Sequence, residues 1–281
     1  MENTQTTSKM SPIGVFDSGY GGLTILEKIR EELPAYDFVY LGDNARSPYG
    51  TRSFEVVYKY TLQCVTKLFD MGCELVILAC NTASAKALRS IQQNDLPGID
   101  PNKRVLGVIR PTVEVINQLT ISGRVGLLAT SGTVQSESYP LELKKFNQHL
   151  HITSEACPMW VPLIENNEHN KPGADYFIQK NLNSLLNKDP EIDTILLGCT
   201  HYPLLADKIK MYLPHQIQVV SQGSFVAKSL ANYLIRHPEM ENRCSKNGTI
   251  EYFTTESIEK FNTSASIFID GTVNAKHIEI G

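Results

Sequence analysis

Two cysteines in this chain of 281 residues end apolar runs in the same way. "LVILACNTAS", residues 75–84, breaks at Cys80-Asn81-Thr82, and "DTILLGCTHYP", residues 193–203, breaks at Cys199-Thr200-His201. Each cysteine follows a small residue and precedes hydrogen-bonding side chains and a helical stretch. A helix N-terminus lowers a thiol pKa and favours anions. Three chemistries use such cysteines. A nucleophile needs a histidine base and an oxyanion hole; His201 stands close to Cys199, but Cys80 is then left idle. A zinc site wants four ligands at metal spacing, and two distant cysteines with one histidine make a poor start. An acid–base pair with one sulfur on each face of a carbon acid uses both: one thiolate removes a proton while the opposite thiol delivers one. That reaction inverts a stereocentre. Its carbanion needs oriented donors in a desolvated site. Ser18, Asn81, Thr82 and Thr200 are such donors, as are backbone N–H groups at helix N-termini.

The other cysteines, at 64, 73, 157 and 244, read as small buried residues, although Cys157 stands before a proline at a strand end. There is no C-x-x-C, and the polar N-terminus lacks the apolar core of a signal peptide. A reduced, cytoplasmic protein is expected. At 42% hydrophobic and 20% charged residues, the chain has the composition of a globular protein with a sizeable core. A formal charge of −4 and the lack of a basic run argue against nucleic acid or an acidic membrane as partner. Its apolar stretches are too short to span a membrane.

The elements that must carry these residues alternate between strand and helix, which implies α/β architecture with largely parallel sheets and ligands at the carboxyl ends of strands. Helices are expected over 53–71, 135–149, 174–188 and 223–236. "WVPLIENNEHNKPG" is expected to be a loop. The order of motifs repeats: "IGVFDSGYGG" resembles "VGLLATSGTV", and "LVILACNTAS" resembles "TILLGCTHYP". Two similar units facing each other, each supplying one cysteine, follow from that repeat. The expected division is a disordered tail over 1–11, a discontinuous first domain of 12–107 with 216–281, and a second domain of 108–215. In "FDSGYGG", Gly19, Gly21 and Gly22 do not fit the dinucleotide fingerprint. The segment reads as a tight turn feeding a helix N-terminus, with Asp17 either a cap or a partner for an α-ammonium group. "RSPYGTRS" is a loop carrying Tyr49 and Gly50.

With these motifs in place, the sequence resembles the cofactor-independent aspartate/glutamate racemase family, glutamate racemases in particular. The matching stretches are "GVFDSGYGGLTIL", "YLGDNARSPYGTRS", "ILACNTASA", "LLATSGTV", "CPMWVPLIE" and "LLGCTHYPLL", in family order over about residues 12–205. The resemblance implies two pseudo-symmetric doubly wound domains with glutamate in the cleft between them and no cofactor or metal. It implies Cys80 and Cys199 as the two bases, assisted by Asp17, His201 and Glu165. Asp17-Ser18, Tyr49-Gly50, Asn81-Thr82 and Thr200-His201 match the substrate-binding pairs. A homodimer supplying D-glutamate for bacterial peptidoglycan is the implied setting. The sequence departs from the family pattern at Arg110, at Ser221-Gln222 and in a long "LIENNEHNKPG" segment, and it offers no arginine fork for the substrate carboxylates.

Overall fold

The computed structural model describes residues 10–280, so most of the expected N-terminal tail lies outside the described residues. Ser11 is already anchored, bridging to Cys244 and exchanging backbone hydrogen bonds with Arg243 and Ser245.

Two sheets form, and every strand pairing within them is parallel. The first contains β1 (Ile13–Asp17), β2 (Phe38–Gly42), β3 (Leu75–Leu78), β4 (Arg104–Gly107), β9 (Ile250–Thr254) and β10 (Ala275–His277), in the order β10-β9-β2-β1-β3-β4. The second contains β5 (Arg124–Ala129), β6 (His151–Ala156), β7 (Thr194–Gly198) and β8 (Gln218–Val220), in the order β6-β5-β7-β8. The strand order β2-β1-β3-β4 is thus repeated as β6-β5-β7-β8. The repeated motifs occupy equivalent places, since β1 corresponds to β5 and β3 to β7. The inner strands IGVFD, LVIL and TILLG are buried throughout. Continuous apolar runs are what a parallel sheet requires, because helices cover both of its faces.

The expected domain boundary between 215 and 216 falls ahead of β8, yet β8 pairs with β7 through Thr194↔Gln218 and belongs to the second sheet. The "HQIQVVSQG" segment reads as a strand, but its pattern does not say which sheet it joins. The chain therefore passes from the first sheet to the second after Gly107 and returns after Val220. On its return it forms helix Gly223–Arg236, which packs against α1 (Gly22–Glu32).

β7 is secured at the end opposite Cys199. Asp193 accepts hydrogen bonds from Thr120 Oγ1 (2.6 Å), Ile121 N (2.8 Å), Ser122 N (2.6 Å) and Thr194 Oγ1 (2.9 Å). Burial acts to raise its pKa, but these donors outweigh it and hold the carboxyl at about 2, below the ordinary 3.8. Asp193→Ala is expected to cost about 1–3 kcal/mol in urea unfolding at neutral pH. A carboxyl with a depressed folded-state pKa stabilises above its unfolded value and loses that contribution as pH falls. The deficit of the variant should therefore shrink between pH 4 and pH 2.

Candidate active site

The first cysteine stands where β3 gives way to helix Asn81–Lys86. Cys80 caps that helix in an extended conformation, with Sγ 3.5 Å from Ala83 N and 3.3 Å from Ser18 Oγ beyond the end of β1. Burial pushes the Cys80 thiol up to about 12, and the nearby Asp17 carboxylate adds to the shift, against the opposing pull of the Ser18 and Ala83 hydrogen bonds. Cys80 therefore carries its proton at neutral pH.

The second cysteine follows β7 in the equivalent place. Cys199 Sγ lies 4.0 Å from His201 Nδ1, and His201 Nε2 lies 3.0 Å from Glu165 Oε1. Burial disfavours the imidazolium. Hydrogen bonds to Cys199 and Glu165 overcome that penalty and raise His201 to about 10. The imidazole therefore holds both of its protons at neutral pH. Glu165 reaches His201 from helix Trp160–Glu165, inside the stretch expected to be a loop. Pro162 falls in the first turn of that helix, where a missing N–H is tolerated. Trp160, fully buried against Tyr202 with ring centroids 4.9 Å apart, anchors it.

Asp17 ends β1 beneath the cavity rather than in its wall. It is fully buried, accepting from Gly19 N at 2.9 Å and from Thr200 Oγ1 at 3.4 Å, the latter a bond from the loop after β7. Burial raises its pKa, with the charge of His201 acting in the opposite direction. Its carboxylate ties the turn after β1 to the second cysteine loop. Gly21 and Gly22 permit this approach. A Cβ on Gly21 would overlap His201 Nδ1 and Thr200 Oγ1, and one on Gly22 would overlap Asp17. Gly21 thus lets α1 pack closely on the second cysteine loop, and Gly22 lets it pack on Asp17.

Between the loops lies a cavity of about 80 Å³. Cys80, Cys199, Ser18, Tyr49, Gly50, Asn81, Thr82, Thr200 and His201 all line it, whereas Asp17 and Glu165 stand behind His201 and Thr200. The Tyr49 hydroxyl donates to Asp43, so the tyrosine contributes its ring and backbone. Gly50 O accepts from Gly132 N at 2.7 Å, tying the loop to the second sheet's side of the site. Sequence reasoning missed Thr130, whose hydroxyl lies 2.9 Å from that of Thr82, and Cys157, which also faces the cavity. The repeat held the signal for Thr130, since Thr130-Ser131 aligns with Asp17-Ser18. Among the described residues, no lysine or arginine lines the cavity. Arg46, close in sequence to Tyr49, is engaged by Asp43 at 2.7 Å and Gln63 at 2.6 Å. Among the described residues, no three His, Cys, Asp or Glu side chains gather as a metal site.

The pattern of the family described as Asp/Glu/Hydantoin racemase matches residues 13–230. The glutamate racemase of Ruegeria sp. (strain TM1040) is 39% identical over 267 residues, spanning 92% of this chain and 96% of its own. The chain belongs to the glutamate racemase family. Solved members of that family share its fold. The glutamate racemase isoform RacE1 from Bacillus anthracis superposes with a TM-score of 0.87 at 32% identity, covering 97% of this chain and 98% of that one. The glutamate racemase from Francisella tularensis subsp. tularensis SCHU S4, solved in complex with D-glutamate, gives 0.85 at 30% identity over 96% and 98%. As a member of the glutamate racemase family, the chain is an isomerase of the amino-acid racemase type.

Proposed function

We propose that this chain interconverts L- and D-glutamate without a cofactor, with Cys80 and Cys199 exchanging protons on opposite faces of Cα. The observation that carries the reading is that one cavity is lined by two cysteines from the equivalent ends of β3 and β7, in different sheets. In one direction, the α-proton passes to the Cys199 sulfur and the resting Cys80 thiol delivers its own proton to the other face. The reverse direction exchanges these roles. The site's charge is unchanged by the transfer. His201, holding its protons, supplies a donor to the Cys199 sulfur, and Glu165 keeps it protonated. Asp17 fixes Thr200 and acts on Cys80 through its charge.

With no lysine or arginine in the wall among the described residues, the substrate carboxylates are held by hydroxyls and N–H groups. Ser18 and Thr82 supply hydroxyls, Asn81 an amide, Thr200 its backbone N–H, and Tyr49-Gly50 the facing wall. Such oriented donors also stabilise the charge that develops as Cα–H ionises. The setting we propose is cytoplasmic, in a homodimer, with D-glutamate passing to peptidoglycan synthesis.

Incubation with single L-amino acids in D2O, followed by proton NMR and polarimetry, tests the substrate. Loss of the α-proton signal and of optical rotation is expected with glutamate. Inversion confined to aspartate would contradict the assignment. A second expected outcome concerns pH. Glu165→Gln removes a cause that raises His201, so its pKa falls, and the protonated imidazole is lost at lower pH. The alkaline limb of the kcat/KM profile should therefore move to lower pH. An unmoved limb would remove Glu165 from this role.

A further inference from the structure

Asn81 follows Cys80 directly and is 2% exposed. A buried carboxamide fits its space equally well in two senses related by a 180° turn, and only its polar neighbours choose between them. Here the choice is imposed from a distance. Thr112 Oγ1 donates its single hydrogen to Val108 O at 2.9 Å, so towards Gln222 it can only accept. Gln222 Nε2 therefore faces Thr112 at 2.9 Å, and also donates to Tyr139 OH at 2.5 Å. That orientation points Gln222 Oε1 at Asn81, where it accepts from Nδ2 at 2.8 Å. The Tyr139 hydroxyl, already accepting from Gln222, donates to Asn81 Oδ1 at 2.6 Å. Turning either amide over would set oxygen against oxygen. Tyr139 and Thr112 are 0% exposed and Gln222 is 2% exposed, so water cannot substitute for any partner.

We propose that Tyr139 and Gln222 are positioning residues that fix the sense of the Asn81 carboxamide, leaving its second Nδ2 hydrogen as the donor presented to a substrate carboxylate. The inference rests on the racemase reading above, since it supposes that a carboxylate occupies the cavity that Asn81 lines. It gives a task to Gln222, one of the positions where the sequence departs from the family pattern. It also links the site to both passages of the chain between the sheets. Val108 and Thr112 lie on the first passage, and Gln222 on the second. The direction of one donor beside Cys80 is thereby referred to the two segments that join the sheets.

A double-mutant cycle on the full chain tests this. Tyr139→Phe and Gln222→Met are each made alone and in an Asn81→Ala background, and kcat and KM are measured for both enantiomers of glutamate. Each single variant is expected to lower kcat/KM by about 10–100-fold, as loss of alignment at a reacting centre does. A rise in KM should account for most of it, because a carboxylate donor binds ground state and transition state alike. In the Asn81→Ala background, neither change should lower kcat/KM further, because the group they position is gone. Equal effects in both backgrounds would overturn the inference and leave the two residues a purely structural part. Should Gln222→Met fail to fold, Tyr139→Phe, which removes one oxygen, carries the same cycle. A native chain that does not invert glutamate overturns the racemase reading and this inference together. A native chain that inverts it while Tyr139→Phe matches it overturns the positioning alone.

Discussion

Replacing either Cys80 or Cys199 by alanine is expected to slow glutamate inversion by about 10²–10⁴-fold, the contribution of a positioned general acid or base. Both variants should fall by comparable amounts, because each turnover needs one sulfur to take a proton and the other to give one. The double variant should be little worse than the worse single one, since residues acting as a unit are not additive. This pattern separates inversion from the cysteine-hydrolase alternative, in which His201 activates Cys199 alone and Cys80 is dispensable. Cys73→Ala is the control. That residue is buried, lies just beyond helix Phe54–Asp70, and does not line the cavity. Its loss should lower thermal stability and leave kcat in place. Polarimetry at saturating glutamate reads all four proteins.

Gly21→Ala is expected to lower kcat/KM by about 10²-fold, the cost of a displacement of about 1 Å in a catalytic group. The added methyl would overlap His201 Nδ1 and Thr200 Oγ1, so either the start of α1 or the Thr200-His201 turn must move. Two contacts depend on that turn. One is the 3.4 Å bond from Thr200 to Asp17, and the other the 4.0 Å approach of His201 to the Cys199 sulfur. Gly98→Ala is the matching control, because a Cβ there meets nothing within 4 Å. Circular dichroism should show both variants folded. A Gly21→Ala protein as active as native would mean that the glycine turn does not hold the second cysteine loop in place.

Much of this arrangement was legible in the sequence because it is written locally. The strands carrying Cys80 and Cys199 are continuous apolar runs, as a doubly covered parallel sheet demands. The repeat then paired the two cysteine loops before any contact was known. The sequence was less informative where structure depends on distant partners. The helix bearing Glu165 is short and contains Pro162, so propensity argues against it, and the burial of Trp160 on Tyr202 decides the matter. β8 has only three residues and owes its place to pairing with β7. Asp17 ends a strand, a place suited to a ligand, but burial and Thr200 turn its carboxylate towards the protein. The ring of Asn81, Tyr139, Gln222 and Thr112 joins four separate segments, and no local pattern encodes the sense of an amide. Among the described residues, the cavity wall carries no arginine and is lined by several hydroxyls and the Asn81 amide.

The central claim is that the two sulfurs serve opposite faces of one carbon, and α-proton exchange in D2O by the single-cysteine variants tests it most directly. Each variant keeps one sulfur of the pair, which can still remove the α-proton of the enantiomer facing it and return deuterium to the same face. Slow exchange with retention is therefore expected for one enantiomer in Cys80→Ala and for the opposite enantiomer in Cys199→Ala. Exchange of the same enantiomer by both variants, or of both enantiomers by either one, would contradict the account.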